Sequence, residues 1–301
     1  MNSSTIVPST VKYWREQAQR RSQRWVVKLG SSLLTQSNGC PDRSRIRDVM
    51  FQLAALQEQG VAIVLVASGA VSVGRTQLDP AATGRGVREA AASLGQAALL
   101  STFHEYGAAA DHPCGQVLLD ETSFASREKR GNICATLDRL VAAGGIPLLN
   151  GNDAICGSPS SEVHNNDLLA ARVARLWKAD FLLLLTDQVG VCTADPRQYP
   201  EAGVVPWSRA GDARLSKMVG SGKGKHGTGG MATKLQAAER VAAGGIPSCI
   251  ADGRERGILL RLRLGEPLGT LLVPDNRLPK QTERAVPWRI HPFAPASAAW
   301  A

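Results

Sequence analysis

Phe181-Leu182-Leu183-Leu184-Leu185-Thr186 is an apolar run with no polar alternation, closed by a hydroxyl and followed by Asp187. A half-exposed strand alternates apolar and polar residues, whereas a strand covered on both faces does not. The run therefore predicts a strand in the middle of a sheet with helices on both sides. Outward from it, short β-branched or leucine-rich segments at 25–29, 61–66, 116–119, 146–150 and 247–251 alternate with longer helical stretches. That alternation predicts an α/β fold on a mostly parallel sheet. Two helix-to-strand junctions use nearly the same words, Leu140-Val-Ala-Ala-Gly-Gly-Ile-Pro147 and Arg240-Val-Ala-Ala-Gly-Gly-Ile-Pro247. Glycine closes each helix in a left-handed cap and isoleucine opens each strand.

The 301 residues are 44% hydrophobic and 20% charged, enough to bury one large α/β core or two medium ones. No stretch approaches the roughly 20 continuous apolar residues of a membrane span, and residues 1–24 lack the apolar centre of a secretory signal. A cytoplasmic enzyme is expected. Cys40, Cys114, Cys134, Cys156, Cys192 and Cys249 are scattered, with no C-x-x-C pair and no matching histidine spacing, so neither a disulfide framework nor a protein-bound metal is expected. Of the net charge of +9, residues 1–24 carry +4 and residues 277–301 carry +3, leaving +2 for the body. The excess predicts solvated ends, not a nucleic-acid surface, since no strand interleaves aromatic and basic residues.

Chemistry is expected at strand ends, where ligands of open α/β sheets bind. The first strand runs into Val27-Lys28-Leu29-Gly30-Ser31-Ser32, a lysine followed by a glycine turn whose amides suit a phosphate. The second ends in Val66-Ala67-Ser68-Gly69-Ala70, which is neither a Walker loop nor a dinucleotide fingerprint. Asn150-Gly151-Asn152-Asp153 and His164-Asn165-Asn166-Asp167 follow later strands and are dense in groups that orient a small polar substrate; Asx turns and helix caps account for either one alone. The glycine-dense stretch 220–230 leads into a helix carrying Lys234, a pattern suited to a polyphosphate.

Taken in order, these motifs, with Leu182-Leu-Leu-Leu-Thr-Asp187, Thr193-Ala-Asp-Pro-Arg197 and Gly227-Thr-Gly-Gly-Met-Ala-Thr-Lys234, resemble the glutamate 5-kinase family of amino-acid kinases over about residues 25–274. The resemblance implies a three-layer αβα sandwich with a mostly parallel central sheet. It also implies transfer of the γ-phosphoryl of ATP, with Mg2+, to the side-chain carboxylate of L-glutamate. By that resemblance Lys28, Asp167 and Lys234 are catalytic. ATP is contacted by Lys28, Gly30, Ser31, Thr186, Asp187, Thr228, Gly229, Gly230, Met231, Ala232, Thr233 and Lys234. Ser68, Asn150, Asp153 and Asn166 bind glutamate. A dimer or tetramer and feedback inhibition by proline are implied as well.

The expected organisation is a basic N-terminal extension at 1–24, a kinase domain at 25–274 and a tail at 275–301 too short for the PUA module that the family often carries. The chain departs from the family at Gly151, where the pattern is Asn-Glu-Asn-Asp, and at His164-Asn165, where it is Gly-Asp. Two carboxylates are missing there, which bears on metal handling and glutamate affinity. A kinase for a related carboxylate such as acetylglutamate, or a weakly active sensor of glutamate or proline, are the alternatives. The Ser-Gly-Ala turn and Thr-Gly-Gly-Met argue against the first, and the intact Lys28, Asp167 and Lys234 argue against the second.

Overall fold

In chain order the elements are α1 (Ser9–Arg15), a π-helical turn (Glu16–Arg21), β1 (Arg24–Leu29), α2 (Ser31–Leu34), α3 (Arg43–Glu58), β2 (Ala62–Ala67), α4 (Ala70–Arg75) and α5 (Val87–Ala108). Next come β3 (Cys114–Leu119), α6 (Arg127–Ala142), β4 (Ile146–Gly151), α7 (Asn166–Leu176), β5 (Phe181–Thr186) and β6 (Trp207–Arg209). The last are α8 (Ala213–Val219), α9 (Met231–Ala242), β7 (Ser248–Asp252), α10 (Ile258–Arg263) and β8 (Thr270–Val273). This computed structural model describes residues 9–155, 162–196, 198–219 and 230–274.

The eight strands form one sheet in the order β3-β4-β2-β1-β5-β7-β8-β6. Every pairing is parallel except β7 with β8. β5 lies between β1 and β7, and all six of its residues are buried, as its unbroken apolar run predicts. Trp25 stands opposite Ile63 on one side and Phe181 on the other. Alternation along β1 sends Trp25, Val27 and Leu29 to the face packed by α1, α3, α5 and α10. Val26 goes to the face packed by α6, α7 and α9. The result is three layers, helices on sheet on helices. Lys28, two residues beyond Val26, falls on the α7 side.

The short strands β6 and β8 fall in stretches that carry no strand signal. At three and four residues they are too short for a period to show, and their pairing fixes them. Thr270 anchors β8: its fully buried hydroxyl accepts from the Val191 amide at 2.8 Å and donates to the Val205 carbonyl at 2.6 Å.

Residues 12–22 are not the solvated end that their charge predicts. Trp14 and Ala18, spaced i, i+4, are buried against the body. Arg15, 6% exposed, donates to the carbonyls of Glu266 at 3.2 Å and Pro206 at 3.1 Å. From the other side Arg263 donates to the carbonyls of Ser22 and Gln19. One apolar stripe thus recruits a segment that composition alone marks as free. Residues 1–8 and the 275–301 tail lie outside the described residues. Among the described residues no helix is long and apolar enough to cross a membrane.

Helices α4 and α5 cross at glycines. A Cβ at Gly74 would lie 1.7 Å from the Ala91 carbonyl oxygen, and one at Gly95 would lie 1.8 Å from that of Ala70. Because the obstacle is backbone on both sides, rotamer changes cannot relieve it. Gly95→Ala is expected to lower the stability measured by chemical denaturation by about 1–3 kcal/mol or more. An unchanged midpoint would show that the two helices separate freely.

Candidate active site

The carboxyl ends of β1, β2, β4 and β5 open into a cavity of about 1080 Å³. That volume lies at the upper end of small-molecule sites. One end is cationic and the other is lined by amides and hydroxyls.

At the cationic end three buried charges from three elements meet. Asp167, in the first turn of α7, is fully buried, while Lys28 on β1 and Lys234 on α9 are each 5% exposed. Lys28 Nζ lies 2.7 Å from Asp167 Oδ1, and Lys234 Nζ lies 3.2 Å from Oδ2. The Thr233 hydroxyl is 2.9 Å from the same Oδ2 and 2.8 Å from the Gly230 carbonyl, tying the start of α9 to the carboxylate. Burial pushes the Asp167 carboxyl up, but the charges of Lys28 and Lys234 and the hydrogen bonds from Lys28 and Thr233 outweigh it and hold it at about 2. Burial also pulls Lys28 down, against the opposing pull of Asp167.

The glycine turn after β1 serves differently from expectation. The Gly30 amide donates to the Leu185 carbonyl at 3.1 Å, so it closes the β1–β5 edge and is not offered to a ligand. Ser31 and Ser32 start α2, where helix geometry leaves amides without an internal acceptor, and both line the cavity. Thr186 and Asp187 line it from the end of β5, their side chains 3.1 Å apart. Gly230 and Met231 line it where α9 begins, with the positive end of that helix beside them. Ala232 is exposed, away from the cavity wall. Thr228 and Gly229 lie outside the described residues.

At the polar end the Asn166 amide nitrogen lies 2.8 Å from Asn150 Oδ1 and 3.1 Å from both the Ser68 hydroxyl and the Ala67 carbonyl. Asn150, 2% exposed, donates in turn to Gln96 Oε1 at 2.7 Å. Gly69, whose φ of 103° suits only glycine, turns the chain sharply enough to leave Ser68 at this corner. Asp153 stands apart from the network, with its carboxylate on the His164 ring. Asn165 is a helix cap: its side-chain oxygen accepts from the amides of Asp167 at 3.0 Å and Leu168 at 3.4 Å.

Three contributors carry no sequence signal. Gln96 and Arg88 lie on α5, which no motif marks, the first bonded to Asn150 and the second on the cavity wall. Arg254, beyond β7, pairs with Asp252 at 2.8 Å and donates to the Asp187 carbonyl, steadying that loop from below.

Asp167 generates a stability prediction with a definite sign. Its folded-state value of about 2 lies under the ordinary 3.8, so its ionised form adds stability above about pH 4 that is lost as pH falls toward 2. Asp167→Asn leaves two buried ammonium groups without a counter-charge and is expected to cost about 3–5 kcal/mol at pH 7. In denaturation curves the gap from wild type is expected to narrow below about pH 3; a gap independent of pH would contradict the charge argument.

Comparison with known proteins accords with this geometry. The amino acid kinase family matches residues 23–252. The glutamate 5-kinase of Chromohalobacter salexigens is 42% identical over 261 residues, covering 86% of this chain and 68% of that protein. The glutamate 5-kinase of Stutzerimonas stutzeri is 40% identical over 256 residues, covering 84% and 68%. Among solved structures, carbamate kinase from Giardia lamblia bound to AMP-PNP superposes with a TM-score of 0.59 at 16% identity, covering 84% of this chain and 99% of that one. UMP kinase from Bacillus anthracis superposes at 0.58 and 16%, covering 84% and 97%; both show the shared fold alone. With a buried lysine–aspartate–lysine centre at the mouth of a matching sheet, and relatives at 40–42% identity along most of its length, the chain belongs to the amino acid kinase family and, within it, to the glutamate 5-kinases.

Proposed function

We propose that this protein phosphorylates the side-chain carboxylate of L-glutamate with ATP, giving L-glutamyl 5-phosphate and ADP, the first step of proline biosynthesis. The observation that carries it is the buried centre itself: two ammonium groups share one carboxylate at one end of a cavity whose other end is polar. The surplus positive charge suits a phosphoryl group in transfer.

The acceptor carboxylate is already an anion, so its oxygen attacks the γ-phosphorus without a general base while the bond to ADP breaks. Catalysis then consists of positioning and charge neutralisation. In this reading Lys28 and Lys234 bracket the transferring group, and Asp167 keeps both ammonium groups oriented. The Ser31 and Ser32 amides and the 228–234 segment, at the start of α9, serve the phosphates, with Thr186 and Asp187 beside the nucleotide. Ser68, Asn150, Asp153 and Asn166 hold glutamate. Magnesium, when bound, neutralises phosphate oxygens.

Family membership is also the basis for proposing a cytoplasmic dimer or tetramer inhibited by proline, which sedimentation and proline titration of the assay will read. The test of the main proposal supplies ATP, Mg2+ and hydroxylamine with L-glutamate or acetylglutamate. Hydroxamate and ADP are expected with glutamate; formation with acetylglutamate instead, or glutamate binding without turnover, would overturn it. Lys234→Ala is expected to lower kcat on the order of 100-fold with little change in glutamate KM. Unchanged turnover would remove Lys234 from the mechanism.

A further inference from the structure

Asp153 lines the cavity with a side chain only 13% exposed, and its carboxylate has one partner among the described residues. That partner is His164, whose Nδ1 lies 2.5 Å from Asp153 Oδ1. No lysine or arginine pairs with this carboxylate among the described residues, and only Oδ1 is engaged by His164, so Oδ2 is left for something that enters the cavity. The His164 ring is itself buried, with 6% of its side chain exposed, so surrounding atoms hold its place.

The backbone explains how the two groups meet. A Cβ at position 151 would lie 2.8 Å from the Val163 carbonyl oxygen, closer than real side chains come to backbone. Glycine at the end of β4 therefore lets the turn Glu162–His164 rest directly on that strand, and His164 is the last residue of the turn. The Gly151 and His164 departures are thus one structural arrangement, with Asp153 two residues beyond Gly151.

We propose that His164 is a positioning residue of the acceptor site: its Nδ1–H holds Asp153 so that the second carboxylate oxygen meets the α-ammonium of the amino-acid acceptor. The inference rests on the glutamate-kinase reading above. An ammonium group is bound alike in ground and transition states, because it lies away from the reacting carboxylate. Loosening its counter-charge therefore raises KM and spares kcat.

The experiment measures kcat and both KM values for wild type, His164→Ala, His164→Asn, His164→Gln, Asp153→Asn and the Asp153→Asn/His164→Ala pair. His164→Ala is expected to raise glutamate KM about tenfold, the scale of one hydrogen bond to a charged group, with ATP KM and kcat within about twofold. His164→Asn, whose amide nitrogen sits on Cγ as Nδ1 does, is expected to restore most of the loss. His164→Gln, whose nitrogen lies one bond farther out, is not. On the Asp153→Asn background His164→Ala is expected to add less than about twofold, because contacting residues are not additive. Wild-type glutamate KM in His164→Ala, equal rises in both KM values, or additive effects would overturn the proposal. Should His164→Ala fail to fold, the contrast between Asn and Gln decides, and equal KM values for that pair would overturn it. A wild-type protein that turns over no glutamate would instead overturn the proposed function, a result distinct from any variant pattern.

Discussion

Asp167 between Lys28 and Lys234 is the contact on which the site depends. Three charges are withdrawn from water at one point, each from a different element: β1, the first turn of α7 and the first turns of α9. Such burial is a poor source of stability, since desolvating charged groups offsets most of their attraction and a hydrophobic replacement is often as good. Removing one member is another matter, because it strands the rest. In the proposed function the triad serves an anion that arrives later. Two ammonium groups against one carboxylate leave an unbalanced positive charge in a low-dielectric pocket, where a phosphoryl group in transfer gains most from it.

The sheet makes that meeting possible by parity and direction. Alternation along β1 sends Trp25, Val27 and Leu29 to one helical layer and Lys28 to the other, where α7 lies. A shift of one residue in β1 would bury Lys28 among α3 and α5 and leave Asp167 without its partner. The leucines of β5 add no chemistry of their own. They fill both faces beside β1 and keep the register by which Lys28 stands opposite Leu184. The Gly30 amide completes this edge by donating to the Leu185 carbonyl, so the turn that looks made for phosphate first serves the sheet.

How much was legible in the sequence follows from the range of the forces involved. β1 and β5 are readable because burial on both faces imprints a local pattern, whereas Lys28, Asp167 and Lys234 are marked by position only as residues beside a strand end or helix start, and it is the family resemblance that groups them. β6 and β8 are not readable, since a few residues paired across a long sequence gap leave no period. Residues 12–22 carry a misleading signal because charge dominates their composition, while Trp14 and Ala18 form the apolar contact that anchors them. Gln96 and Arg254 act through single hydrogen bonds to Asn150 and Asp187, and nothing nearby in the chain announces either bond.

The two halves of the site are built by different means, and this bears on how each can vary. The cationic half is held by regular elements whose positions follow from core packing, so replacing any one of its charges disturbs the whole centre. The polar half is held by turns resting on one another: Val163 on Gly151, His164 on Asp153, Asn166 on Asn150 and Ser68. A side chain gained or lost in one turn can be met by a shift in the next, as the close approach at Gly151 and the His164 contact illustrate. Asn165 follows the same logic, since an amide oxygen caps α7 as well as a carboxylate does. In this chain both departures from the family pattern, at Gly151 and at His164-Asn165, fall in these turns, while Lys28, Asp167 and Lys234 stand in the buried centre.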